Sequence, residues 1–475
     1  MLKDFYHANP GFQYIIDQMD LMSSIGRRRL MEQPLCNDKT TLDKSLSHIE
    51  QVLRLLQQPQ HQSDFENLRH LLMQLHDLQG TAQRLQVRSY LDEVELFEIK
   101  NLAYICMGVV RISQTLGITD ILQLPDLSSL FSLLDPDNTG LPNFYIYDSY
   151  NPQLGPIRKE LKAAQMKLSG LEKDPDNAQT LAERVADLFE QQQQLQQHVI
   201  EHLSEQLWSF AQPFQEALDR LADLDILLAK SVQAQRWNLC RPSLSDTLLR
   251  FHGLVNPRLK DRNEALHLRY QPIDIDLQRG VCFITGANMA GKTVLLKSIS
   301  IAQLMAQFAM FVPAQEASIT LFDDIVTCIG DEQNEMNGLS SFASEITHIS
   351  NILQRSETER LLILIDEPAR TTNPIEGKAL VQSLASMLEN RNSYTLITTH
   401  YSQLQLPCRR LRVKGFTEQL SDSIISADNI NHCIDYSLVE DCSDEVPQEA
   451  LRIATLLGCD AKLIAGAKER LNTEL

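Results

Sequence analysis

Gly286-Ala287-Asn288-Met289-Ala290-Gly291-Lys292-Thr293 decides how the rest of the chain is read. It fits the pattern G-x-x-x-x-G-K-[ST]. An apolar run, Val281–Ile284 (VCFI), precedes it, and a helical pattern opens behind it at Val294–Leu304. Strand, loop and helix in that order are the context in which this pattern cradles phosphate. Gly286 and Gly291 allow backbone N–H groups to turn inward, and the helix N-terminus adds its positive dipole end. Lys292 would neutralise charge on the β- and γ-phosphates, and Thr293 would offer its hydroxyl to a metal ion. The expected ligands are therefore ATP and Mg²⁺. The alternative, a chance match in a glycine-containing turn, gives no reason for the flanking strand and helix.

Two further elements extend the site. The apolar run Leu361–Ile365 (LLILI) ends at Asp366-Glu367. A buried strand that delivers two carboxylates to its C-terminal end is the usual companion of a phosphate loop. Asp366 is expected to hold Mg²⁺, and Glu367 to act as general base on the attacking water. Alone, the pair could equally be a solvated strand end or a helix cap. Thr398-Thr399-His400-Tyr401 follows the apolar stretch Tyr394–Ile397. His400 at this strand tip is placed with the catalytic group, in contact with a γ-phosphate or the water; in isolation it would read as a loop histidine.

Composition changes near residue 245. After it, short apolar runs bounded by turn residues alternate with helical patterns, as in an α/β domain with buried parallel strands. Before it, Leu and Gln dominate. Asp43–Leu56 places Leu46, Ile49, Leu53 and Leu56 at helical spacing. The stretch Asp64–Leu85 continues in the same way. Asp135–Pro142 (DPDNTGLP) reads as a loop. Ala178–Gln212 contains neither Pro nor Gly and predicts a helix of about 50 Å, with Pro213 interrupting it and Phe214–Gln233 resuming. The predicted architecture is an all-α domain over 1–245 followed by an α/β ATPase domain over 246–475 with a mixed, mostly parallel sheet.

Charge and cysteine usage narrow the function classes. Among 475 residues, Lys and Arg number 43 and Asp and Glu 62, a formal net charge of −19. Such a chain is a poor whole-molecule binder of nucleic acid. No apolar run of about 18 residues is present, so no membrane span is expected. The N-terminus lacks a secretory pattern. Nine cysteines without a Cys-x-x-Cys spacing suit a reducing, cytoplasmic setting.

Taken together, these motifs resemble the MutS family of ABC-type ATPases. GANMAGKT is similar to its G-x-N-x-x-G-K-[ST], with Asn288 at the asparagine. Gly338–Glu345 (GLSSFASE) resembles its S-T-F-x-x-E element. Asp366–Gly377 (DEPARTTNPIEG) resembles D-E-x-x-R-G-T-x-x-x-x-G, with Thr371 at the position of the first glycine. Thr399-His400-Tyr401 resembles T-H-Y. Gly11–Leu35 and Leu221–Ser243 are similar to the start and end of the family's helical core. Glu445–Glu469 resembles its closing, dimerising helical segment.

The resemblance implies a dimer, of one chain or of two paralogues, with composite sites. Ser340 of one chain would reach the γ-phosphate held by the other, and Asn373 and His400 would sense its loss. Ser340 and Ser341 could also simply cap the helix that follows. Tyr270 stands where the family often places an aromatic against adenine, although ordinary core packing of a tyrosine would look the same. The chain opens at the core element, so no mismatch-reading or connector domain is expected ahead of it. Tyr150–Glu172 runs almost directly into Ala178–Gln212, so the DNA-embracing clamp of the family is expected to be short or absent. A clampless, acidic chain with Pro368 and Ala369 after Asp366-Glu367, and with the tail EVPQEALRIA (445–454), most resembles one branch. That branch is the ATPase that reactivates the adenosylcobalamin-dependent lysine 5,6-aminomutase. An aminomutase client with weak or absent DNA binding is the expectation; a DNA-binding mismatch repair or recombination ATPase is the alternative.

Overall fold

The computed structural model describes residues 1–169, 175–286, 290–329, 341–401, 404, 406–416, 434–441, 451, 454–455 and 459–474. Through Trp237 these residues form helices and connecting segments. The helices are α1 (Leu2–Ala8), α2 (Pro10–Asp17), α3 (Ser24–Met31), α4 (Lys39–Leu56), α5 (Gln62–Met73), α6 (Gln79–Gln86), α7 (Glu93–Leu116), α8 (Thr119–Leu122), α9 (Ser128–Leu133), α10 (Leu154–Ser169), α11 (Pro175–Leu207) and α12 (Ala211–Trp237). Strands begin at Ser243. The change of secondary structure thus falls where composition changes. The compact units divide the chain differently. One contains Met1–Met19, Glu32–Glu50 and Lys230–Leu475; the other contains Asp20–Met31 and Gln51–Ala229.

The second unit is helical. Helix α7 starts with a reciprocal cap: Glu95 N donates to Asp92 Oδ1 at 2.8 Å, and Asp92 N donates to Glu95 Oε2 at 3.0 Å. Gly117, at φ 68°, ends it in the left-handed conformation. Between them Leu96, Ile99, Leu102, Ile105 and Val109 recur at helical spacing and are buried with Leu68 and Leu72 of α5 and Leu203 and Leu207 of α11. Helices α10 and α11 pair through Leu161, Ala164 and Leu188 and through the Arg184–Glu160 ion pair at 2.7 Å. Only residues 170–174 lie between these two helices. The predicted break at Pro213 falls earlier, in the 3₁₀ turn Trp208–Phe210. Pro213 sits in the first turn of α12, where its missing N–H costs nothing.

The basic triplet Arg27–Arg29 is tied into this unit. Arg28 pairs with Asp77 at 2.5 Å, and Arg29 with Asp223 at 2.5 Å and Asp219 at 3.1 Å. Beside it, buried Asp225 accepts from Met22 N, Ser23 N and Ser23 Oγ at 2.6–2.9 Å. A Cβ on Gly26 would lie 2.4 Å from the Asp225 carboxylate, which is why glycine opens the triplet.

The first unit holds two sheets. The smaller joins β1 (Ser243–Leu244), β5 (Glu316–Ile319), β2 (Leu249–Leu254) and β3 (Ile273–Leu277) in that order, with β5, β2 and β3 antiparallel. The larger has the order β10 (Ile434–Glu440), β9 (Arg409–Phe416), β4 (Gly280–Thr285), β8 (Tyr394–Thr398), β7 (Leu361–Asp366) and β6 (Asp324–Cys328). All neighbours in it are parallel except β9 and β10. Helices α13 (Pro257–Ala265), α14 (Lys292–Gln307), α15 (Ser341–Arg355), α16 (Pro374–Glu389) and α17 (Ala461–Glu474) complete the unit. Strands β4, β7 and β8 are buried on both faces, so they read as continuous apolar runs. Pairing sets Thr398 beside both Ile284 and Asp366. The loops after β4, β7 and β8 therefore leave the sheet together.

A buried ion pair fixes one loop of the helical unit. Lys100 of α7, fully buried, donates to Asp135 Oδ1 at 3.0 Å, Asn143 O at 2.9 Å and Tyr147 Oη at 3.1 Å. Burial alone would raise the Asp135 carboxyl. Hydrogen bonds from Thr139, the Gly140 amide and Lys100 outweigh it and hold the group at about 2, against 3.8 ordinarily. A depressed folded value stabilises the fold fully above about pH 4, and that contribution is lost as pH falls toward 2. Lys100→Met leaves Asp135 buried without its cation and should cost ~3–5 kcal/mol. It should open residues 135–147 to protease at neutral pH, as acid should in the unchanged chain. Resistance of the variant at neutral pH would show that the pair does not hold the loop.

Candidate nucleotide-binding site

Strand β4 ends at Thr285, and Gly286 turns the chain at φ 141°. Gly291, at φ 77°, then delivers it into α14. A Cβ on Gly286 would meet the Val413 side chain at 3.3 Å, and one on Gly291 the Tyr436 ring at 3.1 Å. Both glycines are thus required by backbone angle as well as by space. Asn288 lies outside the described residues, as does Ser340. Lys292, the first residue of α14, is 5% exposed and folds back over the turn. Its ammonium donates to Gly286 O at 2.8 Å and lies 3.3 Å from Glu367 Oε1.

The carboxylate of Asp366 is the centre of the arrangement. Thr293 Oγ1 donates to its Oδ2 at 2.6 Å and Thr398 Oγ1 to its Oδ1 at 2.6 Å. The first turn of α14 and the ends of β7 and β8 are joined through these two bonds. Glu367 leaves β7 in the left-handed conformation, φ 46°, with its N–H on Thr398 Oγ1 at 2.9 Å. That backbone costs a non-glycine residue ~1–2 kcal/mol, and it turns the carboxylate toward Lys292. The second Glu367 oxygen is 3.9 Å from His400 Nδ1.

The turn that follows is anchored from three sides. Ala369, left-handed at φ 59°, donates its N–H to Glu345 Oε1 of α15 at 3.0 Å and accepts from Tyr401 Oη at 3.1 Å. Gly377 of α16 packs where a Cβ would come within 2.1 Å of that hydroxyl. Asn373 caps α16 by accepting from Ile375 N at 2.9 Å. Thr371, which stands at the position of a family glycine, is not left-handed; the turn takes its positive φ angles at Glu367 and Ala369 instead.

Lys292, Thr293, Asp366, Glu367 and His400 are thus brought together at the glycine turn. Tyr270 is placed beside α13, where its hydroxyl accepts from Asn256 N at 2.7 Å. Its neighbour Gln271 bonds β10, donating to Asp435 at 2.8 Å and Ser437 at 3.1 Å and accepting from Tyr436 N at 3.2 Å. The ring that lies against Gly291 is therefore Tyr436. Sequence reasoning assigned no role to Tyr436, to the Thr398 hydroxyl or to the Glu345 bond. Thr398 and Glu345 lie within quoted motifs, whereas no local signal marks Tyr436.

Residues 282–473 match MutS domain V. The chain is 28% identical over 395 residues to the DNA mismatch repair protein MutS of Thermus thermophilus, covering 71% of this chain and 47% of that protein. It is 36% identical over 194 residues to MutS of Thermus aquaticus, 41% of this chain and 23% of that one. It is 30% identical over 312 residues to endonuclease MutS2 of Agathobacter rectalis, 63% of this chain and 36% of that one. The chain spans less than half the length of these curated relatives. Glycine turn, lysine, paired carboxylates and strand-end histidine all fall within the segment that matches MutS domain V.

Proposed function

We propose that this protein is a Mg²⁺-dependent ATPase that works as a MutS-type conformational switch. The observation that carries the reading is the meeting of Lys292, Asp366 and Glu367 at one glycine turn, inside the segment that matches MutS domain V. The donor set fits the expected ligands. Thr293 and Asp366 offer hard oxygens to Mg²⁺, which would offset charge on the phosphates. At Gly286 and Gly291 the backbone angle and the neighbouring Val413 and Tyr436 side chains exclude a Cβ, as a backbone cradle for phosphate oxygens requires. Lys292 is held by Glu367 at 3.3 Å. When the ammonium transfers to a phosphate, the carboxylate is released to orient and polarise the attacking water. His400, 3.9 Å from Glu367, is close enough to register that release.

The comparisons favour DNA repair or recombination as the setting, because the relatives named above are mismatch repair proteins and an endonuclease. They lend no support to the aminomutase-reactivating branch. The net charge of −19, the pairing of Arg28 and Arg29 with aspartates, and the five residues between α10 and α11 argue for weak DNA affinity of this chain itself. We therefore place it as one half of a dimer, with a second copy or a MutS-like paralogue, in the cytoplasm. Ser340 would complete the partner's site.

Four measurements test this reading. Lys292→Ala should abolish nucleotide binding or turnover, and Glu367→Gln should retain ATP but slow hydrolysis by roughly 10²-fold or more. Wild-type turnover by Glu367→Gln would remove the base from the mechanism. Lys292→Ala and Ser340→Ala chains, each inactive alone, should recover part of the activity when mixed; none despite subunit exchange would count against shared sites. Duplex DNA should bind more weakly than micromolar at about 150 mM salt, and submicromolar binding would overturn that assignment. Stimulation of phosphate release by duplex DNA, set against stimulation by an aminomutase, separates the two settings.

A further inference from the structure

Helix α7 carries an apolar stripe that its own packing leaves largely open, with Tyr104 touching a neighbouring ring, that of Phe131 at 6.3 Å between centroids. Its inward positions, Leu96, Ile99, Leu102 and Ile105, are buried in the helical unit. Val94, Phe97 and Tyr104 are 64%, 39% and 37% exposed. Steps of three and seven residues set these three on one line along the helix. Val87 and Tyr90, in the segment leading into α7, are exposed as well and lengthen the surface. Three aromatic and two β-branched side chains at least partly in water on one short stretch are unusual for a surface with no partner.

The rim of the stripe is acidic. Asp92 and Glu93 are exposed beside Val94, and Glu98 follows Phe97 on the same helix. Tyr90 Oη donates to Glu205 at 3.4 Å, and Glu205 with Glu201 pushes that phenol up. Arg84 is engaged by Glu95 at 3.2 Å and by the Tyr90 carbonyl. Arg88 adds a cation beside Val87, but the carboxylates outnumber it. Such a rim repels nucleic acid and anionic lipid. A line of apolar side chains at helical spacing is what a second helix packs against.

We propose that the Val94–Phe97–Tyr104 stripe is a docking site for an amphipathic helix of a partner protein whose apolar face is flanked by Lys or Arg. The surface is separate from the nucleotide-binding residues and does not depend on the ATPase reading. Apolar contact supplies the affinity; the rim charges select the partner and its orientation.

The test uses the full chain and a fluorescent synthetic helix with leucine on one face and lysine on the other. A second peptide carries glutamate in place of lysine. At about 150 mM salt the lysine peptide should bind and the glutamate peptide should not. Val94→Ser with Phe97→Ser should weaken binding roughly tenfold or more, as for truncation of interface anchors, and Glu93→Lys should weaken it less. If the double variant loses helical signal, Tyr104→Ser alone decides. Failure of the lysine peptide to bind, unchanged affinity in the serine variants, or preference for the glutamate peptide would overturn the proposal. Self-association of the chain that disappears in those variants would assign the stripe to a second copy and overturn it too.

Discussion

Asp366 accepts two hydroxyl hydrogen bonds at 2.6 Å, one from the first turn of α14 and one from the end of β8. Three sheet-end loops are registered on that one carboxylate. The parallel pairing of β4, β8 and β7 brings the loops to one edge of the sheet, but pairing alone does not set their depth. The two short bonds do, and they fix where Lys292 and Glu367 meet. Removing the Asp366 charge would loosen the Thr293 and Thr398 bonds together, so the effects of such a change would not be separable by residue.

The Lys292–Glu367 pair is the second constraint. Both groups are largely buried, and a buried ion pair stabilises little against an apolar substitute. Its value here is placement. The pair holds the ammonium over the turn and sets the Glu367 carboxylate beside it. The left-handed angles at Glu367 and Ala369 store local strain, offset by the amide bond to Glu345 and the hydroxyl bond from Tyr401. Strain concentrated next to a functional group, and held by three separate elements, marks this turn as built for the site rather than for stability.

Much of this was legible in the sequence because it is local. The strand, glycine turn and helix around Gly286–Thr293, the apolar run before Asp366 and the strand before His400 are each written in one continuous stretch. What was not legible depends on residues far apart in the chain. Tyr436 reaches Gly291 only because β10 pairs with β9 and is pinned by Gln271. The mixed sheet β1-β5-β2-β3 went unread, since its strands are short and half exposed, as the alternating burial of Leu249–Leu254 shows. The proline signal at Pro213 misplaced a helix break, because a first-turn proline and an interrupting one look alike without their neighbours. The division into compact units was likewise invisible. Residues 1–19 and 32–50 join the α/β portion through tertiary packing, which periodicity does not report.

If this cradle hydrolyses ATP as proposed, Mg²⁺ would be held by Thr293 and Asp366. Phosphate release by the purified chain, followed with Mg²⁺ present and again after chelation, tests it most directly. Turnover should need the ion and should fall when Thr293→Val removes the hydroxyl. Release that persists unchanged under chelation, or no release with Mg²⁺ and every partner supplied, would contradict it.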